Sequence, residues 1–153
     1  MDERKASSKL QEKRVASEIG GRTTPASGAL WGSKADVKSD QFLVECKTTK
    51  NSYYSLNVKT WEKIKKEAIS EGLRIPVMCI DLNNGKKRYA VMRTDDIGNY
   101  PSFTDMSHAT KNSSVRIKGE MRILFKSEGT LLYDLQVIPW DDFLKCIVPQ
   151  YEE

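Results

Sequence analysis

The stretch that decides the fold reads Phe42-Leu43-Val44-Glu45-Cys46-Lys47-Thr48-Thr49. Its apolar beginning predicts a β-strand, in which alternate side chains point to the same face of a sheet. Glu45 and Lys47 therefore share one face, while Val44 and Cys46 point the other way, towards whatever covers the sheet. The sequence thus predicts a strand that holds a carboxylate and an ammonium group side by side.

Asp36 lies nine residues before Glu45. Ser39 and Asp40 between them are turn-forming residues, so residues 35–48 are predicted to form a β-hairpin that brings Asp36 alongside Glu45. Two carboxylates suit Mg²⁺ or Mn²⁺, which polarises a phosphate and activates a water molecule. A nearby lysine can orient that water or stabilise the developing negative charge. The alternative is an exposed hairpin with ordinary surface charges.

A helix is predicted over residues 9–19, because Ser8 and Gln11 form a capping box and two glycines follow the helix. Glu12 falls on the apolar stripe of this helix, whereas Glu18 falls on another face and is expected to contact solvent. A carboxylate on the inward face is either a functional group or a stripe-edge residue that pairs with a nearby arginine.

The next segment, residues 22–34, is rich in glycine, serine and threonine and also contains a tryptophan and two basic residues. Small residues let a backbone approach a phosphate closely, and Ser27 offers a hydroxyl group to it. A loop of this length that leads directly to Asp36 is more often functional than a plain surface connection.

Five polar residues follow one another in a characteristic order: Glu12, Ser27, Asp36, Glu45 and Lys47. This ordered set resembles the PD-(D/E)XK nuclease superfamily and looks most like the archaeal and phage Holliday junction resolvases. The resemblance covers residues 8–60. It implies that Asp36 and Glu45 bind Mg²⁺, which Mn²⁺ can replace, and that Glu12 completes or supports the site. It also implies that Lys47 positions or activates the attacking water and that Ser27 holds a phosphate near the cut.

The sequence departs from the family pattern at two points. Ala35 stands where the family usually has a proline before the aspartate. The segment between Glu12 and Ser27 is also shorter than in archaeal members, which leaves open whether Glu12 or Glu18 is the helix carboxylate.

The function that the resemblance implies is cleavage of branched DNA by a metal-dependent, structure-selective endonuclease. Such an enzyme would serve DNA recombination and repair, act as a homodimer on four-way junctions, and leave a nick with a 5′-phosphate. Three alternatives remain open at this stage. They are a repair nickase or end-processing nuclease on the same fold, a DNA-binding module without catalysis, and a structural or interaction protein.

Basic, hydroxylic and aromatic residues follow the Glu45 strand, a mixture that suits phosphate contacts and base stacking. Further along, basic residues recur at even positions within and directly after a predicted strand over residues 115–125: Arg116, Lys118, Arg122 and Lys126. Either set can also be ordinary polar strand surface. The candidate DNA contacts are Arg22, Ser27, Lys34, Thr48, Thr49, Lys50, Tyr53, Arg116 and Lys118.

The order of predicted elements indicates an α/β fold with a mixed central sheet flanked by helices. The resemblance implies that this is a restriction-endonuclease-like core, to which a C-terminal β-hairpin is added. We expect one domain, with residues 1–7 disordered, a core over about 8–99, and the hairpin and a short helix over about 114–148. The other predicted elements are a helix over 58–71 capped by Asn57, a buried strand over 75–82, a strand over 88–93, a short helix near 95–99, irregular chain over 100–113, strands over 115–125 and 130–138, and a short helix that ends near Ile147.

The composition narrows the class of protein. Charged residues make up 30% of the 153 residues but the net charge is only +4, which excludes a histone-like chain and fits contact with nucleic acid through one face. The three cysteines lack metal-ligand spacing and are predicted to be reduced core residues. The sequence contains neither a signal peptide nor a membrane span, so we expect a cytoplasmic protein, in the host cytoplasm if it is phage-encoded.

Overall fold

A computed structural model describes residues 3–24 and 36–152 of the chain. The helical elements are α1 (Glu3–Ile19), α2 (Val58–Ser70), α3 (Trp140–Asp142), a π-helical segment (Phe143–Ile147) and α4 (Val148–Tyr151), with single 3₁₀ turns at Asn83–Gly85 and Thr94–Asp96. The strands are β1 (Arg22–Thr23), β2 (Val37–Lys38), β3 (Phe42–Thr48), β4 (Tyr54–Asn57), β5 (Ile75–Leu82), β6 (Lys87–Arg93), β7 (Met106–Thr110), β8 (Ser114–Ile117), β9 (Met121–Ser127) and β10 (Thr130–Pro139).

Eight of these strands form one mixed sheet in the order β1-β2-β3-β5-β6-β10-β9-β7. The pairs β3–β5 and β7–β9 are parallel, and the other neighbours are antiparallel. Strands β4 and β8 form a separate two-stranded sheet. The prediction of an α/β fold with a mixed central sheet flanked by helices is confirmed.

The central sheet has a hydrophobic core on each face. One core joins α1 and the C-terminal helical segments to residues such as Val44 and Cys79. The other joins α2 and the two-stranded sheet to residues such as Met78 and Ile80. Since Glu45 is in register with Met78, the Glu45 side chain emerges on the α2 face, as strand alternation requires.

Helix α1 is longer than predicted. It begins at Glu3, so Ser8 lies inside the helix rather than at its cap, and residues 3–7, predicted to be disordered, are helical. The helix ends at Ile19 and is followed by Gly20, whose φ of 68° is the left-handed conformation that favours glycine at this position. The predicted end of the helix at the two glycines is confirmed. The predicted beginning at the capping box is wrong, because the helix already starts at Glu3.

Helix α2 follows its prediction closely. The Oδ1 atom of Asn57 accepts a hydrogen bond from the backbone N–H of Thr60 at 2.9 Å, which caps the helix as expected. The side chains of Trp61, Ile64 and Ala68 are buried on the inward face. Strand β5 is also buried as predicted, so this helix has a continuous apolar surface to pack on.

The C-terminal half differs from the prediction in two places. The segment 100–113 is not irregular throughout, because Met106–Thr110 forms the edge strand β7. The strand predicted over 115–125 is broken at residues 118–120 into β8 and β9, which belong to different sheets. Strands β9 and β10 do form the expected hairpin, and it extends the central sheet beside β6.

The cysteines are all free, but they are not all core residues. Cys79 is buried and Cys46 is half-buried, whereas Cys146 is exposed, so the prediction of three core cysteines is wrong for Cys146. Across the described ranges of the chain, no helix is both long and apolar enough to cross a membrane.

Candidate functional site

Asp36 and Glu45 meet across the β2–β3 hairpin. Val37 pairs with Val44 in antiparallel register, so the next position outward places Asp36 opposite Glu45. The backbone N–H of Cys46 donates a hydrogen bond to Oδ2 of Asp36 at 2.8 Å. The aspartate is therefore fixed beside β3, directly before β2 begins, and the predicted hairpin is confirmed.

Glu45 is a buried carboxyl group, with only 9% of its surface exposed. Burial, and then the charge of Asp36, raise the pKa of Glu45 to about 8, although Lys47 acts in the opposite direction. The Nζ atom of Lys47 lies 3.9 Å from Oε1 of Glu45. Ionisation of both carboxyl groups is therefore unfavourable, because the charge of Lys47 offsets their repulsion only in part. A divalent cation would offset it further.

Glu12 approaches the same aspartate from α1, on the opposite face of the sheet. It is half-buried, and its pKa is raised by burial, then by the charge of Asp36 and a hydrogen bond with that carboxyl group. Asp36 is therefore the central carboxylate, with Glu45 on one side and Glu12 on the other. Within the described ranges, however, no three His, Cys, Asp or Glu side chains are spaced as a ready set of metal ligands.

Glu18 has a different role from the one its position in the helix suggested. It forms two hydrogen bonds with the guanidinium group of Arg88, at 2.9 and 3.0 Å, and accepts a third from Nε1 of Trp140 at 3.1 Å. Arg88 also lies 3.2 Å from Asp81. The prediction that Glu18 faces solvent is wrong, since its carboxylate is half-buried and bound by Arg88 and Trp140. Of the two candidates for the helix carboxylate, the geometry favours Glu12.

Gln11 is a buried polar residue of α1, with 5% of its surface exposed. Its amide nitrogen donates hydrogen bonds to the backbone oxygens of Lys47, at 2.8 Å, and Cys79, at 3.1 Å. These bonds tie α1 to the neighbouring strands β3 and β5, and so set the positions of Glu12 and Lys47. The sequence suggested Gln11 only as part of a capping box, because no local pattern reveals a contact with two distant strands.

Two further residues interact with Glu45, although the sequence suggested them only as possible DNA contacts and did not place them at the carboxylates. The phenol of Tyr54 has a raised pKa, chiefly because it is partly buried and secondarily because of the charge of Glu45. Lys63 of α2 adds a positive charge that lowers the pKa of Glu45. Lys63 was visible in the sequence as one of several lysines on a helix, but only the tertiary fold distinguishes it from the others.

The candidate DNA contacts at the end of β3 and beyond it differ in their exposure and in the residues they interact with. Lys50 is exposed, and Thr48 is half-buried at the end of the strand. The hydroxyl oxygen of Thr49 accepts a hydrogen bond from the N–H of Asn51 at 3.0 Å, so it serves the turn. In the two-stranded sheet, the guanidinium carbon of Arg116 lies 4.5 Å from the ring centre of Tyr53. The fold thus joins two predicted contacts into one cation–π pair.

The predicted basic stripe does not exist as one surface. Arg116 lies in β8 and is exposed, whereas Arg122 lies in β9 and pairs with Asp134 at 2.6 Å. Lys118 is exposed in the break between the two strands. The even spacing was misleading, because the break at residues 118–120 separates the segment into two strands that belong to different sheets.

The remaining candidates lie before the hairpin. Arg22 is exposed in β1, in register with Lys38. The backbone N–H of Thr24 donates to the carbonyl oxygen of Asp36 at 3.0 Å, so β1 leads directly to the carboxylates. Ser27 and Lys34 lie outside the described residues, and their predicted phosphate contacts stay predictions.

No protein-family model matches the chain, and no curated protein is significantly similar to it. The nuclease resemblance rests on the ordered motif residues. At the candidate site, Asp36 interacts with Glu45 and with Glu12, and Lys47 lies beside Glu45.

Proposed function

We propose that this protein is a metal-dependent DNA endonuclease of the Holliday junction resolvase type, in the PD-(D/E)XK superfamily. The observation that carries the proposal is the meeting of Asp36 and Glu45 across the hairpin, with the Lys47 ammonium group 3.9 Å from Glu45. The order of these residues along the chain supports the proposal, as do the positions of Glu45 and Lys47 on β3 and of Asp36 directly before β2. In the same proposal, α1, the β2–β3 pair, α2 and β5 form a restriction-endonuclease-like core.

The chemistry of the donor set fits Mg²⁺ or Mn²⁺. Asp36 and Glu45 offer hard oxygen ligands, and burial beside a second carboxylate disfavours the ionised form of Glu45 unless a cation is present. When bound, Mg²⁺ would polarise the scissile phosphate and lower the pKa of a water molecule. Glu12 interacts with Asp36 through charge and a hydrogen bond, so we assign it a supporting role through that residue.

Each remaining residue has a separate task in this proposal. Lys47 would orient the attacking water and stabilise negative charge on the phosphate oxygens. Arg22 and Lys50 would contact the DNA backbone, and the Tyr53–Arg116 pair would offer a stacking surface and a cation at the edge of the site. Ser27 would hold a phosphate near the cut.

A cleavage panel tests the proposal directly. We expect the protein to nick a synthetic four-way junction in Mg²⁺ or Mn²⁺, to leave 5′-phosphate ends, and to be inactive with a chelator. Flaps and linear duplex should be cut more slowly, and sedimentation should show a dimer on the junction, since a two-fold enzyme suits a branched substrate with two equivalent strands. A parallel preparation of Glu45→Gln controls for contaminating nucleases.

The other outcomes identify the alternatives. A monomer that cuts flaps or plain duplex equally well would indicate a repair nickase or an end-processing nuclease. Salt-sensitive DNA binding without cleavage in either metal would indicate a DNA-binding module. Neither binding nor cleavage would leave only a structural or interaction role.

Substitution of the two helix glutamates should affect two different properties, the rate of cleavage for Glu12 and the stability of the fold for Glu18. Glu12→Gln is expected to slow cleavage much more than Glu18→Gln, because only Glu12 interacts with Asp36. Glu18→Gln should instead lower the free energy of unfolding by about 1–3 kcal/mol, since it weakens a charge-assisted pair with Arg88. Single-turnover cleavage and urea unfolding of both variants measure the two effects. The reverse ranking in cleavage would move the helix carboxylate to position 18.

A further inference from the structure

Lys63 of α2 is the second cation beside Glu45. Helix α2 packs on the sheet through Trp61 and Ile64, on the face from which the Glu45 side chain emerges. The charge of Lys63 acts on the Glu45 carboxyl group in the same direction as that of Lys47. Lys63 therefore approaches the candidate metal centre from above the sheet, whereas Lys47 approaches it along the strand.

Lys63 belongs to a lysine row, which we define as Lys59, Lys63 and Lys66 of α2. Their spacing of four and three residues places them on one face of the helix. All three are exposed, and together with Glu62 and Glu67 they line a shallow groove. The row spans about 10 Å along the helix axis, a length over which one strand of duplex DNA carries about three phosphates.

The charge of the lysine row is available to a ligand. In the parts of the chain that the structure describes, no ion pair engages any of its three ammonium groups. The two acidic residues of the groove, Glu62 and Glu67, are half-buried, whereas the three lysines are exposed, so the groove has a net positive charge. By contrast, three arginines each form an ion pair with a carboxylate of the fold: Arg88, Arg93 and Arg122.

We propose that the lysine row binds consecutive phosphates of the DNA strand that enters the candidate metal centre, with Lys63 nearest the phosphate that is cut. This inference rests on the proposed nuclease function and adds to it the path of the strand across α2. Lysine ammonium groups on flexible stems suit this task, because they neutralise phosphates without reading the sequence of the bases. The row would bring a strand to Glu45 from the side opposite α1 and Glu12.

The test compares two triple variants that remove the same charge. The row variant combines Lys59→Gln, Lys63→Gln and Lys66→Gln, and the control combines Lys65→Gln, Lys111→Gln and Lys145→Gln. Lys65 is a matched control on the same helix, because its ammonium group lies over the ring of Tyr133, 5.2 Å from the ring centre. Binding to a synthetic four-way junction is followed by fluorescence anisotropy in Ca²⁺ over a series of salt concentrations. The slope of log affinity against log salt should fall by about two to three units for the row variant and by less than one for the control.

Each outcome has a defined meaning. Equal salt slopes for the wild type and the row variant would overturn the inference and leave the lysine row as solvated helix surface. If the wild type cuts the junction in Mg²⁺ while the row variant binds like the wild type, the proposed function stands and only the strand path fails. If the wild type neither cuts nor shows salt-dependent binding, both fail together. Because the substituted lysines of the row are exposed, the melting temperature of the row variant should match that of the wild type, which separates lost contacts from lost folding.

Discussion

Replacing Glu45 by glutamine, or Asp36 by asparagine, should abolish DNA cleavage while leaving DNA binding largely intact. An amide has nearly the shape of the carboxylate but lacks its charge, so the cation loses a ligand although the hairpin persists. At position 36 the amide oxygen can still accept the hydrogen bond from the N–H of Cys46. Loss of one transition-state donor already costs ~10²–10³ in rate. Loss of a metal ligand should cost at least as much, because it removes the contribution of the metal as well.

The measurement pairs single-turnover cleavage in Mg²⁺ with junction binding in Ca²⁺. Wild-type turnover by either variant would show that the carboxylate pair is not the metal centre. An equal loss of binding and cleavage would show instead that Asp36 and Glu45 are needed for the DNA surface rather than for the reaction.

The same Glu45→Gln variant should be more stable than the wild type at pH 8 without divalent cations. The folded-state pKa of Glu45 is raised to about 8 from an ordinary value near 4.5, so the folded protein retains a proton that the unfolded chain releases between these values. Stability that this group contributes at low pH is therefore lost as the pH rises through that window, and glutamine removes the loss. Urea unfolding at pH 5 and pH 8 measures it.

Asp134 is the control of opposite sign. A hydrogen bond with Arg122 lowers the pKa of Asp134, so its contribution to stability is present at neutral pH and is lost only in acid. Asp134→Asn should therefore destabilise the protein at pH 8, where Glu45→Gln stabilises it. Identical pH dependence in the wild type and Glu45→Gln would mean that Glu45 ionises without penalty in the folded protein.

The elements that the sequence predicted well are those with strong local signals. Strand β3 has an apolar run, β5 is almost continuously apolar, and α2 has both a capping asparagine and a regular buried stripe. The turn residues between Asp36 and Glu45 also fixed the hairpin register, because a one-residue slip would reverse the faces of both strands. The carboxylate pair could therefore be found from local patterns alone.

The predictions that failed depend on contacts between distant parts of the chain. Glu18 was assigned to solvent, yet it meets Arg88 and Trp140, which lie 70 and 122 residues further along. The break between β8 and β9 left the alternation of basic residues intact, so periodicity could not reveal it. Lys63 could not be separated from the neighbouring lysines of α2 until the helix was placed over β3.

Replacing Lys47 by alanine should impair the chemical step far more than DNA binding. The side chain of Lys47 is 40% exposed, and its Nζ atom lies 3.9 Å from Oε1 of Glu45, so it lies beside the carboxylates rather than in the wider DNA surface. The side-chain amide of Gln11 donates a hydrogen bond to the backbone oxygen of Lys47 at 2.8 Å. This bond fixes the backbone from which the Lys47 side chain extends. In the ground state Lys47 adds one cation to a site on which the charge of Lys63 also acts. The salt slope of binding should therefore change by about one unit or less.

In the transition state the balance is different, because negative charge grows on the phosphate oxygens next to the ammonium group. Loss of one such donor typically costs ~10²–10³ in rate, or about 3–4 kcal/mol. Lys47→Arg should restore little of this, since a planar guanidinium group cannot replace a compact point charge at a fitted position.

Lys50→Ala is the matched control, because Lys50 is exposed three residues further along and is assigned only to the DNA backbone. With enzyme in saturating excess, Lys50→Ala should cut at the wild-type rate despite weaker binding, while Lys47→Ala should remain slow. If Lys47→Ala also reached the wild-type rate at saturation, Lys47 would be a phosphate-binding residue like Lys50. The pairing of Glu45 with Lys47 on one strand would then lose its chemical meaning, and the metal centre would have to work without a lysine beside the attacking water.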